Sequence, residues 1–457
     1  MAEEVEGIVP TAEEAPAFAQ FKAELASELG TEPWASFPEL TGDVRLLRYL
    51  RSREANVAEA AKAFRAHLAW RKEHGVDAIR QRIVDENIGL DWSLYPRGRE
   101  VEACCPMVLD AGFSKQGHLV QLDNMGLVTP SAVTGKQGMG LEAFSVAIIY
   151  MLEARNKIQD DLSRKTGRMV RTVQVRDMMQ VTTAMVNSNK KVATSIMSMA
   201  GDNYPESIDK MVFINSGNAF KLVMASFRAV APARTVARFL TFKEDAEAEL
   251  LNTVNMQTVQ QFCEQAGQAA TKCKGEPSVA DGGGTVTISS RSKADAFLSV
   301  QQGQTVRWSW TVRKEDIHFH AHVLLDDGAG WRAVPTGAAA SPTPAGVMVE
   351  GSYEAPAACV VRLRWDNSHT WTGKKEVTYS AIVEGEPPAL EPEPESAAAA
   401  EPEVQPDPAA EAEPAAQPEP AADPAAEPGE AAAAQVAPED AAATSVATDG
   451  ASHGTQG

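Results

Sequence analysis

Apolar residues change their spacing near Thr285, and that change limits what the chain can fold into. Over 285–384 they recur at every second position. Val306, Trp308 and Trp310 alternate with Arg307 and Ser309, and Cys359, Val361, Leu363 and Trp365 with Arg362 and Arg364. Val377, Tyr379, Ala381 and Val383 alternate with Thr378 and Ser380. Successive side chains on a strand point to opposite faces, so these are half-buried strands. Roughly six or seven of them in about 100 residues predict an antiparallel β-sandwich.

Upstream, short buried strands interleave with helices. Leu46, Leu47 and Leu50 form an apolar stripe beside Arg45, Arg48, Arg51 and Arg53. Asn56 caps the next helix and Glu59 completes a capping box, with Val57, Ala61, Phe64 and Leu68 on the buried face. Most of the arginines read as a solvated face with intrahelical ion pairs. Strands are predicted at 118–124, 172–177 and 211–214, and helices at 141–152 and 189–200, with a polar loop from 153 to 167. Strands separated by helices of about ten residues or more need crossover connections, which gives a largely parallel sheet covered by helices.

Residues 203–232 combine a turn, a short strand, a bend at Ser216-Gly217 and an amphipathic helix ended near Pro232. Phe220, Val223, Met224, Phe227 and Val230 lie on one face of that helix, and Lys221 and Arg228 share nearly one azimuth beside it. An oily face with a basic flank can roof a lipid-sized cavity. The same pattern also fits an ordinary core helix.

Tyr204-Pro205-Glu206, the strand Met211-Val212-Phe213-Ile214-Asn215 and the helix after it resemble the YPE, strand and gate helix of the CRAL-TRIO lipid-binding family, whose members include phosphatidylinositol-transfer proteins. The run DVRLLRYLRSREANVAEAAKAFRAHLAWRKEHGVD, with its Trp70-Arg71 pair, resembles the small helical domain before that fold. The segments VQQGQTVRWSW and GSYEAPAACVVRLRWDNSHTWTGKKEVTYSAIV resemble a GOLD domain, with Asp366, Asn367, Ser368 and Trp371 at its closing pattern. This order is similar to that of the patellins.

The resemblance implies an acidic segment over 1–40, a helical lid over 41–95, an α/β lipid-binding domain with a mixed, largely parallel sheet over 96–250, and a linker over 251–284. An all-β GOLD sandwich over 285–384 and a tail over 385–457 complete the chain. It further implies headgroup contacts from Arg53, Glu206, Arg228 and Lys221, and an acyl pocket under Phe220, Val223, Met224, Phe227 and Val230. Glu54 stands where phosphoinositide binders often have a second base, and Phe227 competes with Arg228 for the basic position.

Charge and cysteines narrow the function classes. The net charge is −20, but 386–457 holds 16 acidic residues and no Lys or Arg; removing that −16 leaves −4 for residues 1–385. A near-neutral folded part argues against nucleic acid. The tail is Ala, Pro and Glu, holds 13 of the 27 prolines, and is expected to be disordered. Five cysteines, an odd number, with no signal-peptide pattern and no apolar run of membrane-spanning length imply a cytoplasmic chain with reduced thiols, and the resemblance implies that it associates with membranes reversibly and peripherally. Adjacent Cys104 and Cys105 read as small buried hydrophobes. His318, His320 and His322 share one face of a strand, a pattern that could hold zinc but more simply lines an exposed sheet face. No nucleophile motif or phosphate loop is present.

The expectation is non-enzymatic binding and transfer or presentation of a phospholipid, of the phosphatidylinositol or phosphoinositide class, with no cofactor besides the lipid. A phospholipid membrane surface and trafficking proteins recruited by the GOLD domain are the expected partners. A carrier of a neutral isoprenoid and a GOLD-based trafficking adaptor are the alternatives.

Overall fold

The computed structural model describes residues 6–31, 38–178, 181–216, 220–230, 236–242, 246–272, 282–334 and 342–386. The expected disordered tail lies outside them from 387 onward.

Five strands form the first sheet in chain order: β1 (Met107–Val108), β2 (Leu119–Asn124), β3 (Thr172–Asp177), β4 (Ile208–Ile214) and β5 (Phe239–Thr241). β1 pairs antiparallel to β2, and β2 to β5 are mutually parallel. The parallel crossovers carry the helices Leu141–Thr166, Thr183–Asn203 and Phe220–Val230.

The Leu141–Thr166 helix corrects the sequence reading. It runs on through the stretch expected as a polar loop and stops at Gly167, whose φ of 68° suits a residue without Cβ. Glu153, Arg155, Asn156, Gln159, Asp160 and Ser163 are polar because they face buried polar partners, not because they face water. The next helix begins at Thr183, where the Thr182 hydroxyl accepts from the Met185 amide at 3.2 Å. In the helical domain the Asn56 side chain caps the Val57–Glu73 helix by accepting from the Glu59 amide.

The arginines of the Asp43–Ser52 helix are a second correction. Arg45, Arg48 and Arg51 are buried rather than solvated. The opposite side of that helix packs Leu46, Leu47 and Leu50 on Phe18, Phe21, Phe64 and Leu68.

Eight strands follow, β6 (Gly284–Ser289), β7 (Lys293–Val300), β8 (Thr305–Val312), β9 (His318–Leu325), β10 (Trp331–Ala333), β11 (Val349–Glu354), β12 (Cys359–Asp366) and β13 (Lys374–Glu384). They make two antiparallel four-stranded sheets, ordered β10-β9-β12-β7 and β11-β8-β13-β6. Val306, Trp308, Trp310, Val361, Leu363, Trp365 and Val377 fill the space between them. Gly351 lies opposite Trp308, whose ring leaves no room there for a Cβ.

Much of the stretch expected to be a linker is ordered. The helix Met256–Lys272 buries Val259, Phe262 and Cys263 between the first sheet and the sandwich, against Val120, Val175 and Val212 on one side and Leu324 and Val360 on the other. Gln260 Nε2 donates to the Cys359 carbonyl at 2.9 Å and to that of Val300 at 3.2 Å. Leu324 and Val360 sit on the outward side of their strands, and burial there fixes the sandwich against the α/β domain.

Candidate functional site

Side chains of β4 divide by period two. Val212 and Ile214 face the Met256–Lys272 helix, whereas Met211 and Phe213 face the Phe220–Val230 helix. The second layer contains Met178, Met211, Phe213 and Met224, with Met125, Val181, Met197, Phe220, Val236 and Phe239 partly buried around it. Five of the chain's 15 methionines meet here. Methionine is unbranched and can re-pack around an irregular guest, so the layer suits a variable apolar ligand. The Thr183–Asn203 helix covers it loosely, with only Val192 and Asn203 fully buried in 21 residues.

At the start of β4 stands a charged edge. Glu206 has a φ of 55°, and its Oε2 accepts from Arg171 Nη2 at 2.9 Å and Arg238 Nη2 at 2.7 Å. Its carbonyl accepts from Arg48 Nη1 at 2.7 Å and Arg171 Nε at 3.2 Å. Asp160 accepts from Arg45 through one oxygen and Arg48 through the other, at 2.8 and 3.0 Å. Glu6 and Glu14, from the N-terminal acidic segment, pair with Arg171 and Arg51. The Arg51 hydrogen bond holds the Glu14 carboxyl down at about 2.

Tyr204 anchors the same turn by donating to Glu153 Oε1 at 2.7 Å, and Arg71 Nη1 donates to that oxygen at 2.9 Å. Burial would raise the Glu153 carboxyl, but Arg71 and Arg80 outweigh it and hold it at about 2. A depressed carboxylate stabilises the fold above its unfolded pKa and loses that contribution as pH falls through the folded value. Wild-type stability should therefore drop between about pH 4.5 and 2, and the gap between it and Glu153→Gln should narrow over the same window in denaturant melts.

The expected site residues are not all brought together. Arg53 ends the Asp43–Ser52 helix, half-buried, and bonds only to Ser52 among the described residues, while Arg48 reaches Glu206 in its place. Lys221 and Arg228 are exposed on the outer side of the Phe220–Val230 helix and make no ion pair among the described residues. Phe220 packs on Phe213 with ring centroids 5.1 Å apart, and Met224 is buried. The side chains of Val223, Phe227 and Val230 lie outside the described residues. Arg171 and Arg238 went unread in the sequence; each lies next to or just before a strand, and the YPE glutamate was the signal that a partner was needed. His318 and His322 are half-buried and His320 is exposed, alternating with the core residues Phe319, Ala321 and Val323. Among the described residues no cluster of His, Cys, Asp or Glu suits a metal, and no helix is long and apolar enough to cross a membrane.

A mixed sheet with helical crossovers over a methionine layer, a helical domain before it and an antiparallel sandwich after it define an α/β binding domain with a β module. Residues 109–264 match the family model described as CRAL/TRIO domain. The sandwich is compatible with a GOLD domain. The chain is 22% identical over 229 residues to phosphatidylinositol/phosphatidylcholine transfer protein SFH12 of Arabidopsis thaliana, covering 49% of this chain and 40% of that protein. It is 25% identical over 210 residues to Patellin-6 of Arabidopsis thaliana, covering 46% and 47% respectively. To SEC14 cytosolic factor of Candida glabrata it is 25% identical over 238 residues, covering 50% and 72%. The chain thus spans less than half the length of the two plant relatives. The crystal structure of Sfh5 aligns with a TM-score of 0.40 at 12% identity, over 53% of this chain and 84% of that one.

Proposed function

We propose that this chain binds a phospholipid of the phosphatidylinositol class beneath the Phe220–Val230 helix and transfers or presents it at membranes, without catalysing a reaction. The observation that carries this reading is the methionine layer on one face of β4 and β5, inside the segment that matches the CRAL/TRIO domain. The relatives named as phosphatidylinositol/phosphatidylcholine transfer proteins support it. Acyl chains would lie against Met211, Phe213, Phe220 and Met224.

The headgroup would meet the charged edge at Glu206, where Arg238 and Arg171 supply planar donors suited to phosphate, with Arg53, Lys221 and Arg228 as further positive charge. The protein would act in the cytoplasm as a reversible peripheral binder, with the sandwich recruiting membrane or trafficking partners. Mass spectrometry of lipid extracted from the purified chain, with transfer of labelled phosphatidylinositol between vesicles, tests the reading. Bound phosphatidylinositol and measurable transfer are expected; an isoprenoid in the extract would favour a neutral-lipid carrier, and neither bound lipid nor transfer would overturn it.

A further inference from the structure

Large apolar side chains stand in water at one end of the sandwich. Of the nine that are exposed among the described residues, Val347, Met348 and Trp371 lie in loops that leave that end together. β11 begins beside the end of β8, where Val349 faces Trp310, and β13 begins there too, where Val377 faces Val312. β8 lies between β11 and β13, so the loops carrying Met348 and Trp371 emerge roughly 10 Å apart. This end points away from the lipid domain. β9 runs from His318 at the loops to Leu324 against the Met256–Lys272 helix, about 20 Å along the strand.

The loop that presents Trp371 is held firmly. Asn367 is fully buried, its Nδ2 donates to the carbonyls of Ile288 and Ser289 at 3.1 and 3.0 Å, and its Oδ1 accepts from the Thr370 hydroxyl at 2.6 Å. The Arg291 amide, in the turn before β7, donates to the Asn367 carbonyl at 3.0 Å. Arg291 has a φ of 59°, and its guanidinium lies 4.4 Å from the centroid of the Trp371 ring. That backbone is costly for a residue with a Cβ, and here it sets a cation against an indole that is still 77% exposed. Apolar surface displayed on a rigid loop marks a contact site.

Charge narrows what makes the contact. The loops over 289–293, 313–318, 344–349 and 366–376 hold six basic and four acidic residues, a net of +2, whereas residues 1–385 as a whole carry −4. Glu315 and Asp316 turn to the buried Lys375, and Asp366 and Glu376 to Lys293 and Arg313. Arg291, Lys314 and Lys374 are exposed and make no ion pair among the described residues. An indole and a thioether ringed by cations suit the boundary of an anionic bilayer. Trp settles there among the headgroups, and each Lys or Arg gains from the negative surface potential.

We propose that this end of the sandwich docks on anionic bilayers, with Trp371 and Met348 entering the headgroup layer and Arg291, Lys314 and Lys374 meeting lipid phosphates. The proposal rests on the reading above that the sandwich recruits membranes, and it names the surface and the class of lipid.

Co-sedimentation of the full chain with vesicles of phosphatidylcholine alone, and of phosphatidylcholine with about one-third phosphatidylserine, tests it. Wild type should bind the anionic vesicles roughly tenfold more tightly, and raising NaCl from about 0.05 to 0.5 M should remove most of that difference. Trp371→Ala should weaken this binding about tenfold, and Lys374→Glu at least about fivefold. Should Trp371→Ala fail to fold, Lys374→Glu makes the same prediction. Acyl chains brominated near the headgroup should quench the tryptophan emission of wild type, and Trp371→Phe should lose that quenching while still sedimenting with the vesicles. Lipid retained by the purified protein should be the same in every variant. Equal binding to both kinds of vesicle, or variants that bind as tightly as wild type, overturns the proposal. A dimer that Trp371→Ala dissolves, with no vesicle binding by wild type, assigns the surface to a second copy and overturns it as well. Anionic-vesicle binding that needs Trp371, in a chain that retains no lipid, supports the proposal and overturns the lipid-carrier reading alone.

Discussion

Asp160→Ala is expected to lower the unfolding free energy by about 3–5 kcal/mol in a urea titration, the largest loss anticipated for any single side chain where the helical domain meets the Leu141–Thr166 helix. Its carboxylate is fully buried between Arg45 and Arg48, which are themselves buried. Removing it leaves two guanidiniums in a low-dielectric interior with no ion-pair partner among the described residues, and both would need to keep their charge. Burial already lowers Arg48 to about 10, with Asp160 opposing. Asp43→Ala, in the Asp43–Ser52 helix that carries Arg45 and Arg48, is the control. It breaks an ion pair with Lys22 in which both side chains are about half exposed, and its effect should be small. If the two substitutions cost the same, the arginine and Asp160 cluster is not what joins the helical domain to the sheet.

Met197→Trp should reduce the lipid retained by the purified protein at least about tenfold while leaving its melting temperature within a few degrees of wild type. Met197 is only partly buried, on the loosely packed Thr183–Asn203 helix, and borders the layer formed by Met178, Met211, Phe213 and Met224. A larger ring there would be accommodated by re-packing of the flexible methionines, and it would occupy volume that an acyl chain needs. Retained lipid equal to wild type would place the apolar guest elsewhere. A large loss of thermal stability would show that the layer is ordinary, fully packed core.

Much of this architecture was legible in the amino-acid pattern because burial on one face imposes a period. The alternation through Trp308, Trp365 and Tyr379 is the alternation of the sandwich core, and the switch from helical spacing to period two falls where β6 begins. The polar half of the Leu141–Thr166 helix was not legible. A solvated loop and a helix buried against charged partners present the same residue types, and only the position of Arg45, Arg48, Arg71 and Gln121 in space tells them apart. The arginine stripe misled for the same reason. Arg45 and Arg48 lie far in sequence from Asp160, so no local spacing announces the pair.

The charged edge shows the same division. Glu206 stood out through its Tyr-Pro-Glu setting, and the resemblance placed it with Arg53, Arg228 and Lys221 at a lipid headgroup. The fold instead brings Arg171 to it from just before β3, whose first residue pairs with that of β4, and Arg238 from just before β5, whose first residue pairs with Met211 further along β4.

The sequence alone determined the alternating strands of the sandwich and where an oily helix face had to find a partner, since those follow from side-chain period and apolar content. Only the tertiary structure decided which charges neutralise one another and that the helix after Val254 is wedged between sheet and sandwich. Those arrangements join residues distant along the chain, and Coulomb attraction and close packing depend on separation in space, not on order in the sequence.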